Sequence, residues 1–170
     1  PDDFLKRAVA DPAADPSGFL FANRHADIEH ALSLARLFPG RLLPGIGHGV
    51  LDWMGQAGAR VESPLTLLRE YGTALRRLLH GEEVTVAGRY VSLDRVQLAW
   101  PPEPPPLLVG GVGPKTLALA GEIGDGVILT EESTAESVAL ARRAHEAAGA
   151  AGDLDVVWFL SVPVTIGVDD

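Results

Sequence analysis

The sequence contains no cysteine among its 170 residues. Disulfide bridges, cysteine metal ligands and cysteine nucleophiles are therefore excluded, and the absence fits a reducing cytoplasm, which is the expected location. No apolar run approaches the roughly 20 residues that are needed to cross a bilayer. The N-terminus has no basic region followed by an apolar stretch, so no signal peptide is expected.

Positive charge is also scarce, because 14 Lys and Arg residues stand against 23 Asp and Glu residues, which gives a formal net charge of −9. A surface of this sign repels nucleic-acid backbones and anionic membranes, so neither is an expected partner. The five histidines do not have the spacing of metal ligands on one helix face, so no metal site is expected. The expected partners are a small-molecule substrate and a second copy of the chain in a homodimer.

Short apolar runs alternate with segments of helical periodicity along most of the chain. Strands are predicted at residues 19–22, 42–46, 107–109, 127–129 and 156–164. Nearly continuous apolar strands that alternate with helices predict an α/β fold with a parallel sheet. Periodicity does not distinguish a doubly wound sheet from a (β/α) barrel, and both topologies stay open at this point.

The helix signals are of several kinds. A helix at residues 28–38 is predicted from apolar spacing, and Pro39-Gly40 stops it. Ser63-Pro64 begins a helix that runs to residue 79, and Pro114 begins one that runs to residue 123. Ser133 and Glu136 have the spacing of a capping box, which predicts a helix to residue 148. A hairpin is predicted around Ala87-Gly88.

A glycine cluster follows the predicted strand at residues 107–109, and it consists of Gly110, Gly111, Val112 and Gly113. Glycines let a backbone approach a ligand closely, and the free N–H groups at the start of the next helix favour an anion, usually a phosphate. Lys115 adds positive charge. The cluster is therefore interpreted as a phosphate site, and the alternative is a tight strand–helix turn that binds nothing.

A second cluster, Gly47, His48 and Gly49, follows the predicted strand at residues 42–46. Ligands bind at the carboxyl ends of strands in both candidate topologies, so this cluster is expected at the mouth of the same pocket. His48 is a weak catalytic candidate, as a hydrogen-bond donor to a cofactor ring or as an acid or base. The alternative is a histidine that is held by backbone groups in a loop.

Other polar and aromatic residues near strand ends are interpreted as structural. Asn23, Arg24 and His25 are assigned to a loop that caps the next helix, and Glu131 and Glu132 to a solvated helix entry. The alternative for both groups is that they reach the pocket. Trp53 and Met54 are interpreted as a packing cluster beneath the loop. No general acid or base is identified among these residues.

The residues resemble the luciferase-like monooxygenase family, in particular the branch similar to methylenetetrahydromethanopterin reductase, which uses coenzyme F420. The resemblance depends mainly on residues 106–129, PLLVGGVGPKTLALAGEIGDGVIL. Further matches are found at residues 38–49, FPGRLLPGIGHG, at residues 68–71, LREY, and at residues 81–90, GEEVTVAGRY. It covers residues 19–168, and the order of the motifs is more specific than any one of them.

The resemblance implies an α/β fold of the (β/α)8 TIM-barrel family, here an incomplete barrel of about five βα units. It implies one partial barrel domain over residues 1–170, with an insertion at residues 82–105 before the family's fifth strand. It also implies that the backbone of Gly110, Gly111 and Val112 holds the cofactor phosphate, and that Gly47, His48 and Gly49 line the ring pocket. A full barrel needs about 250 residues, so the sequence is expected to be partial.

The function that the resemblance implies is hydride transfer between coenzyme F420 and a small organic substrate. FMN-dependent monooxygenation is the first alternative within the family. A shortened, non-catalytic flavin-binding protein is the second alternative, and the length of the chain favours it.

Overall fold

The computed structural model describes residues 35–99, 101, 103–150 and 152–159. The predicted strand at residues 19–22 lies outside them, as does most of the helix predicted at residues 28–38. Residues 35–37 are helical, and the helix ends before Gly40, which has a φ of 69°. The elements that follow are β1 (Gly45–Ile46), α1 (Leu51–Gln56), α2 (Pro64–Leu79), β2 (Val84–Ala87), β3 (Ser92–Val96), β4 (Leu108–Gly110), α3 (Pro114–Ile123), β5 (Gly126–Leu129), α4 (Ala135–Ala147) and β6 (Asp155–Trp158).

The main sheet has four strands in the order β1-β4-β5-β6, and all neighbouring pairs are parallel. The predicted parallel sheet is thus confirmed. Each connection moves one strand in the same direction, and α3 packs against both α2 and α4. A doubly wound sheet reverses its strand order at a switch point, and these strands do not, so the order has the single direction of a (β/α) barrel.

Apolar side chains from the sheet and the helices form the principal core. Val109 and Val127 are fully buried, and they belong to one cluster with Leu117, Ala120 and Ala141 of α3 and α4. A second, smaller cluster joins α2 to the hairpin of β2 and β3. The helices therefore cover the sheet as the alternating apolar pattern predicts. None of the helices in the described residues is long and apolar enough to cross a membrane.

Helix α2 begins and ends where the sequence predicts. Pro64 is its first residue, Leu79 is its last, and Gly81 follows with a φ of 79°. Ser63 is the N-cap residue, but its hydroxyl bonds the Thr66 hydroxyl at 2.7 Å rather than a backbone N–H. Pro64 explains the start of the helix better than a side-chain cap does, because proline fixes a helical φ at the first position.

The capping box predicted at Ser133 and Glu136 is wrong by one residue. The box is formed by Thr134 and Ser137: the Thr134 N–H donates to the Ser137 hydroxyl at 3.1 Å, and the Ser137 N–H donates to the Thr134 hydroxyl. Ser133 belongs to the preceding turn instead, because its N–H donates to the Thr130 carbonyl and closes the turn after β5. The helix itself is confirmed, at Ala135–Ala147.

The hairpin of β2 and β3 is fastened to α2 by one carboxylate. Glu70 accepts hydrogen bonds from the N–H groups of Arg89, Tyr90 and Val91 at 2.8–3.0 Å. A Cβ on Gly88 would lie 2.5 Å from Glu70 Oε2, so glycine permits this close approach. Burial alone raises the pKa of the Glu70 carboxyl, but the three N–H groups outweigh it and hold the pKa below its ordinary value.

Replacing Glu70 with glutamine is expected to lower the free energy of unfolding at neutral pH by about 1–2 kcal/mol. The carboxylate has a lower pKa in the folded state, so its contribution is present above the unfolded-state pKa and is lost as the pH falls through the folded-state pKa. Urea unfolding between about pH 6 and about pH 3 should therefore show a smaller acid loss in the variant. The exposed Glu83, changed to glutamine, is the control, and equal losses in both variants would contradict this role.

Candidate functional site

An open cleft of about 750 Å³ lies at the carboxyl ends of β1, β4 and β5. Both glycine clusters line it, although 60 residues separate them in the sequence. The cleft is lined by Gly45, Ile46, Gly47, His48, Gly49, Val50, Leu51, Asp52, Trp53, Met54, Gly110, Gly111, Val112, Gly113 and Thr130. The seven residues that the sequence selects for cofactor binding thus share one cavity, at the end of the sheet where α/β proteins bind ligands.

At two positions of the cleft, the backbone angle or a close contact within the protein requires glycine. A Cβ on Gly111 would lie 2.8 Å from the Thr116 Cβ, and the Gly111 N–H already donates to the Ile128 carbonyl at 3.3 Å. Gly49 has a φ of 68°, and the Met54 side chain packs against its open face. These two residues shape the turns. The N–H of Gly111 has an acceptor within the sheet, so it is a poorer anion donor than the sequence suggests.

At three other positions of the cleft, neither the backbone angle nor a contact within the protein requires glycine. A Cβ on Gly47 or Gly110 would meet only ordinary contacts, at 3.4 Å and 3.7 Å, and a Cβ on Gly113 would meet nothing within 4 Å. None of the three has a positive φ. Their missing side chains leave bare backbone along the cleft, as a close-fitting ligand requires.

Two donors of the turn at residues 110–113 remain open. Within the part of the chain that the structure describes, the N–H groups of Val112 and Gly113 have no hydrogen-bond acceptor. Gly113 is the N-cap of α3, so both groups lie at the positive end of a ten-residue helix. The exposed Lys115 follows in the first turn of that helix. Together they form an arrangement that favours an anion.

His48 connects the two clusters. Its Nδ1 lies 2.8 Å from the Gly49 carbonyl oxygen, which can only accept, so Nδ1 carries the proton. In the neutral ring, Nε2 then accepts from the hydroxyl of Thr116 at 3.0 Å, and Thr116 is a buried residue in the first turn of α3. Both ring nitrogens are therefore engaged within the protein. Of the two interpretations of His48, this geometry favours a histidine that is held in a loop. It is held by one backbone group, the Gly49 carbonyl, and also by one side chain, that of Thr116.

Trp53 contradicts the packing interpretation, whereas Met54 agrees with it. Met54 is buried, but the Trp53 side chain is 60% exposed and lines the cleft. Adjacent residues of the six-residue helix α1 point about 100° apart around its axis, so Met54 is buried while Trp53 is exposed, which apolar composition alone does not predict. A tryptophan four residues after a glycine cluster at a strand end is the sequence feature that could have indicated this.

Of the remaining candidates, those within the described residues lie away from the cleft. Glu131 and Glu132 are exposed in the turn after β5 and do not line it, in agreement with a solvated helix entry. Asn23, Arg24 and His25 lie outside the described residues. In the described ranges, no three His, Asp or Glu side chains come together in a group that could hold a metal ion.

A family model supplies the next observation. The model described as "Luciferase-like monooxygenase" matches residues 28–170, which is most of the chain. The chain belongs to the luciferase-like monooxygenase family. The four parallel strands and their helices are therefore part of a (β/α) barrel of this family, and the glycine turn at residues 110–113 lies at the carboxyl end of one of its strands.

Relatives within the family are similar over part of their length. A 5,10-methylenetetrahydromethanopterin reductase from Methanolobus tindarius is 36% identical over 97 residues, which are 57% of this chain and 30% of the relative. An F420-dependent glucose-6-phosphate dehydrogenase from Nakamurella multipartita is 33% identical over 102 residues, 58% of this chain and 30% of the relative. The chain thus spans less than half the length of these relatives.

A solved structure agrees with the fold. The F420-dependent secondary alcohol dehydrogenase in complex with an F420-acetone adduct superposes with a TM-score of 0.67 at 20% identity. The match covers 89% of this chain and 47% of that one. The expected barrel family is confirmed, and the described residues correspond to an incomplete barrel.

Proposed function

We propose that the chain is the cofactor-binding portion of a coenzyme F420-dependent oxidoreductase that acts on a small organic molecule. Membership of the family supports an oxidoreductase, and relatives named for F420 dependence support this cofactor. Because the chain spans less than half of its relatives, the activity, substrate and partners of the whole protein belong to this proposal. A homodimer, a cytoplasmic location and an insertion at residues 82–105 stay predictions.

One observation carries the proposal: two distant glycine turns meet in a cleft whose backbone is bare at Gly47, Gly110 and Gly113. A Cβ at these positions would fill space that a ligand can use, and no internal contact requires glycine there. The two open N–H groups of Val112 and Gly113 suit a phosphate. These residues fit a flat cofactor with an anionic tail, which describes F420 and equally describes FMN.

The proposed roles follow from these positions. Val112, Gly113 and the first turn of α3 bind the phosphate, and Lys115 adds positive charge nearby. The turn at residues 47–49 lies along the ring. The hydrogen bonds of His48 to the Gly49 carbonyl and to the Thr116 hydroxyl fix the orientation of this turn. When bound, F420 supplies a hydride or accepts one. His48 orients the loop in this arrangement rather than transferring a proton, since neither nitrogen is free.

The test is a titration of the purified chain with F420 and, separately, with FMN, followed by visible absorbance. Gly113→Val places a branched side chain in the cleft, and we expect it to weaken cofactor binding about 30-fold, or about 2 kcal/mol. The melting temperature should stay close to that of the wild type, because a Cβ at Gly113 meets no neighbour.

Gly55→Val is the matched control, because Gly55 lies on α1 outside the cleft lining and its nearest neighbour is the flexible Arg60 side chain. The control should keep wild-type cofactor affinity. A chain that binds neither cofactor would contradict the proposal. Binding of FMN in preference to F420 would instead favour the monooxygenase alternative, which the name of the family model also supports.

A further inference from the structure

The cleft carries an apolar rim that a phosphate and a ring do not explain. Val50, Leu51, Trp53 and Val112 line it, and each is between 45% and 60% exposed. Leu51 and Trp53 belong to α1, and Val112 belongs to the turn before α3, which also lines the cleft. Exposed apolar side chains grouped at the mouth of a cavity mark a binding surface for an apolar partner.

The charges of the cleft restrict that partner further. In the described part of the chain, the cleft lining contains a carboxylate, Asp52, but neither Lys nor Arg. A phosphate or carboxylate on the substrate would therefore lack a cation among these residues and would approach Asp52. The open N–H groups of the turn at residues 110–113 lie together at one place, so they serve one anion.

We propose that the substrate is an uncharged molecule with an apolar body that lies on the Trp53 indole. This assignment rests on the proposed function, because it takes the N–H groups of Val112 and Gly113 to be used by the cofactor phosphate. An exposed indole offers a large and rigid apolar face, and it orders few rotatable bonds when a ligand covers it. Trp53 is then the residue that selects an apolar substrate over a sugar phosphate.

The experiment uses the full 170-residue chain and two probes of opposite character. The chain is first saturated with F420, so that the cofactor phosphate occupies the N–H groups of Val112 and Gly113. The first probe is 1-(2-naphthyl)ethanol, an uncharged secondary alcohol whose binding is followed by calorimetry. The second is glucose 6-phosphate, followed by calorimetry. We expect the naphthyl alcohol to bind at least about tenfold more tightly than glucose 6-phosphate. Trp53→Ala should weaken its binding at least about tenfold, and Trp53→Phe should restore most of it.

Phe159→Ala is the matched control, because Phe159 is 63% exposed and does not line the cleft. The control should leave the affinity for the naphthyl alcohol unchanged. The proposal is overturned if Phe159→Ala weakens binding as much as Trp53→Ala, if Trp53→Ala has no effect, or if glucose 6-phosphate binds more tightly.

A separate F420 titration distinguishes the two proposals. Trp53→Ala should keep F420 affinity within about twofold of the wild type, since Trp53 is assigned to the substrate. A wild-type chain with no F420 affinity overturns the proposed function, whatever the naphthyl alcohol does. If the wild-type chain binds F420 but Trp53→Ala has the same affinity for the naphthyl alcohol as the wild type, only the proposed substrate class is overturned.

Discussion

Replacing Gly121 with valine is expected to lower the free energy of unfolding by at least about 4 kcal/mol, which most single domains cannot tolerate well. Gly121 lies in α3, where the helix crosses α4. A Cβ there would lie 2.8 Å from the Ala144 Cβ and 2.8 Å from the His145 backbone nitrogen, and closer still to the Ala141 carbonyl oxygen. Two of these neighbours are backbone atoms, so they move only if the helices separate.

Separation of α3 from α4 would disturb more than one contact. The buried His145 ring donates from Nδ1 to the Gly121 carbonyl at 3.2 Å, and Leu117 and Ala141 bury their side chains in the core between these helices and the sheet. Displacement would open that core to water, which adds a cavity term to the steric term. The effect should therefore exceed the cost of one overpacked methyl group.

Urea unfolding followed by far-UV circular dichroism measures this effect. Gly55→Val again serves as the control, because it makes the same substitution in a helix where the nearest atoms belong to one flexible side chain. The control should stay within about 0.5 kcal/mol of the wild type. A Gly121→Val variant as stable as the control would show that α3 and α4 can shift without cost, against the close approach described above.

Local signals along the sequence predict the elements of this fold well. Pro64 and Pro114 begin helices α2 and α3 as expected, because the fixed φ of proline acts within one residue. The glycine clusters were expected to share a pocket, because parallel strands present their carboxyl ends on one side of a sheet. That reasoning requires only that the two strands belong to one parallel sheet. They do, and the cleft contains both clusters.

Contacts between distant residues were not predictable in the same way. The bridge from His48 to Thr116 joins residues 68 positions apart, and nothing in either local pattern indicates the other. Amphipathic periodicity places Arg69, Glu70 and Arg76 on the polar face of α2, which in most helices faces solvent. Instead they contact Glu122, the hairpin and Asp125, because further elements pack over that face. Amphipathic periodicity shows which face is polar, but not what covers it.

Replacing Asp125 with alanine is expected to lower the free energy of unfolding by about 3–4 kcal/mol, through groups at the amino ends of three strands. Asp125 Oδ2 accepts from the buried Leu107 N–H at 2.9 Å, and Oδ1 accepts from Arg76 at 2.5 Å. Its backbone N–H donates to the Leu107 carbonyl, and its carbonyl accepts from the Asp155 N–H. One residue thus joins β4, β5, β6 and α2.

The alanine variant loses two side-chain hydrogen bonds at once. The Leu107 N–H is left buried without an acceptor, and Arg76 keeps only its longer hydrogen bond to the Ile123 carbonyl. A buried donor without a partner costs about 1–3 kcal/mol, and the loss of a half-buried ion pair adds to it. Asp125→Asn keeps an oxygen for Leu107 but no charge for Arg76, so it should cost about half as much as alanine.

Glu122→Gln provides the contrast, because the Arg69–Glu122 pair also joins α2 to α3 but is much more exposed, with side-chain exposures of 53% and 39%. Solvent screens such a pair, so its loss should cost less than about 0.5 kcal/mol. Unfolding in urea at low and high salt compares the variants. Equal effects of Asp125→Ala and Glu122→Gln would mean that the Leu107 N–H finds water when Asp125 is absent, and that the amino ends of the strands are more open than their burial indicates.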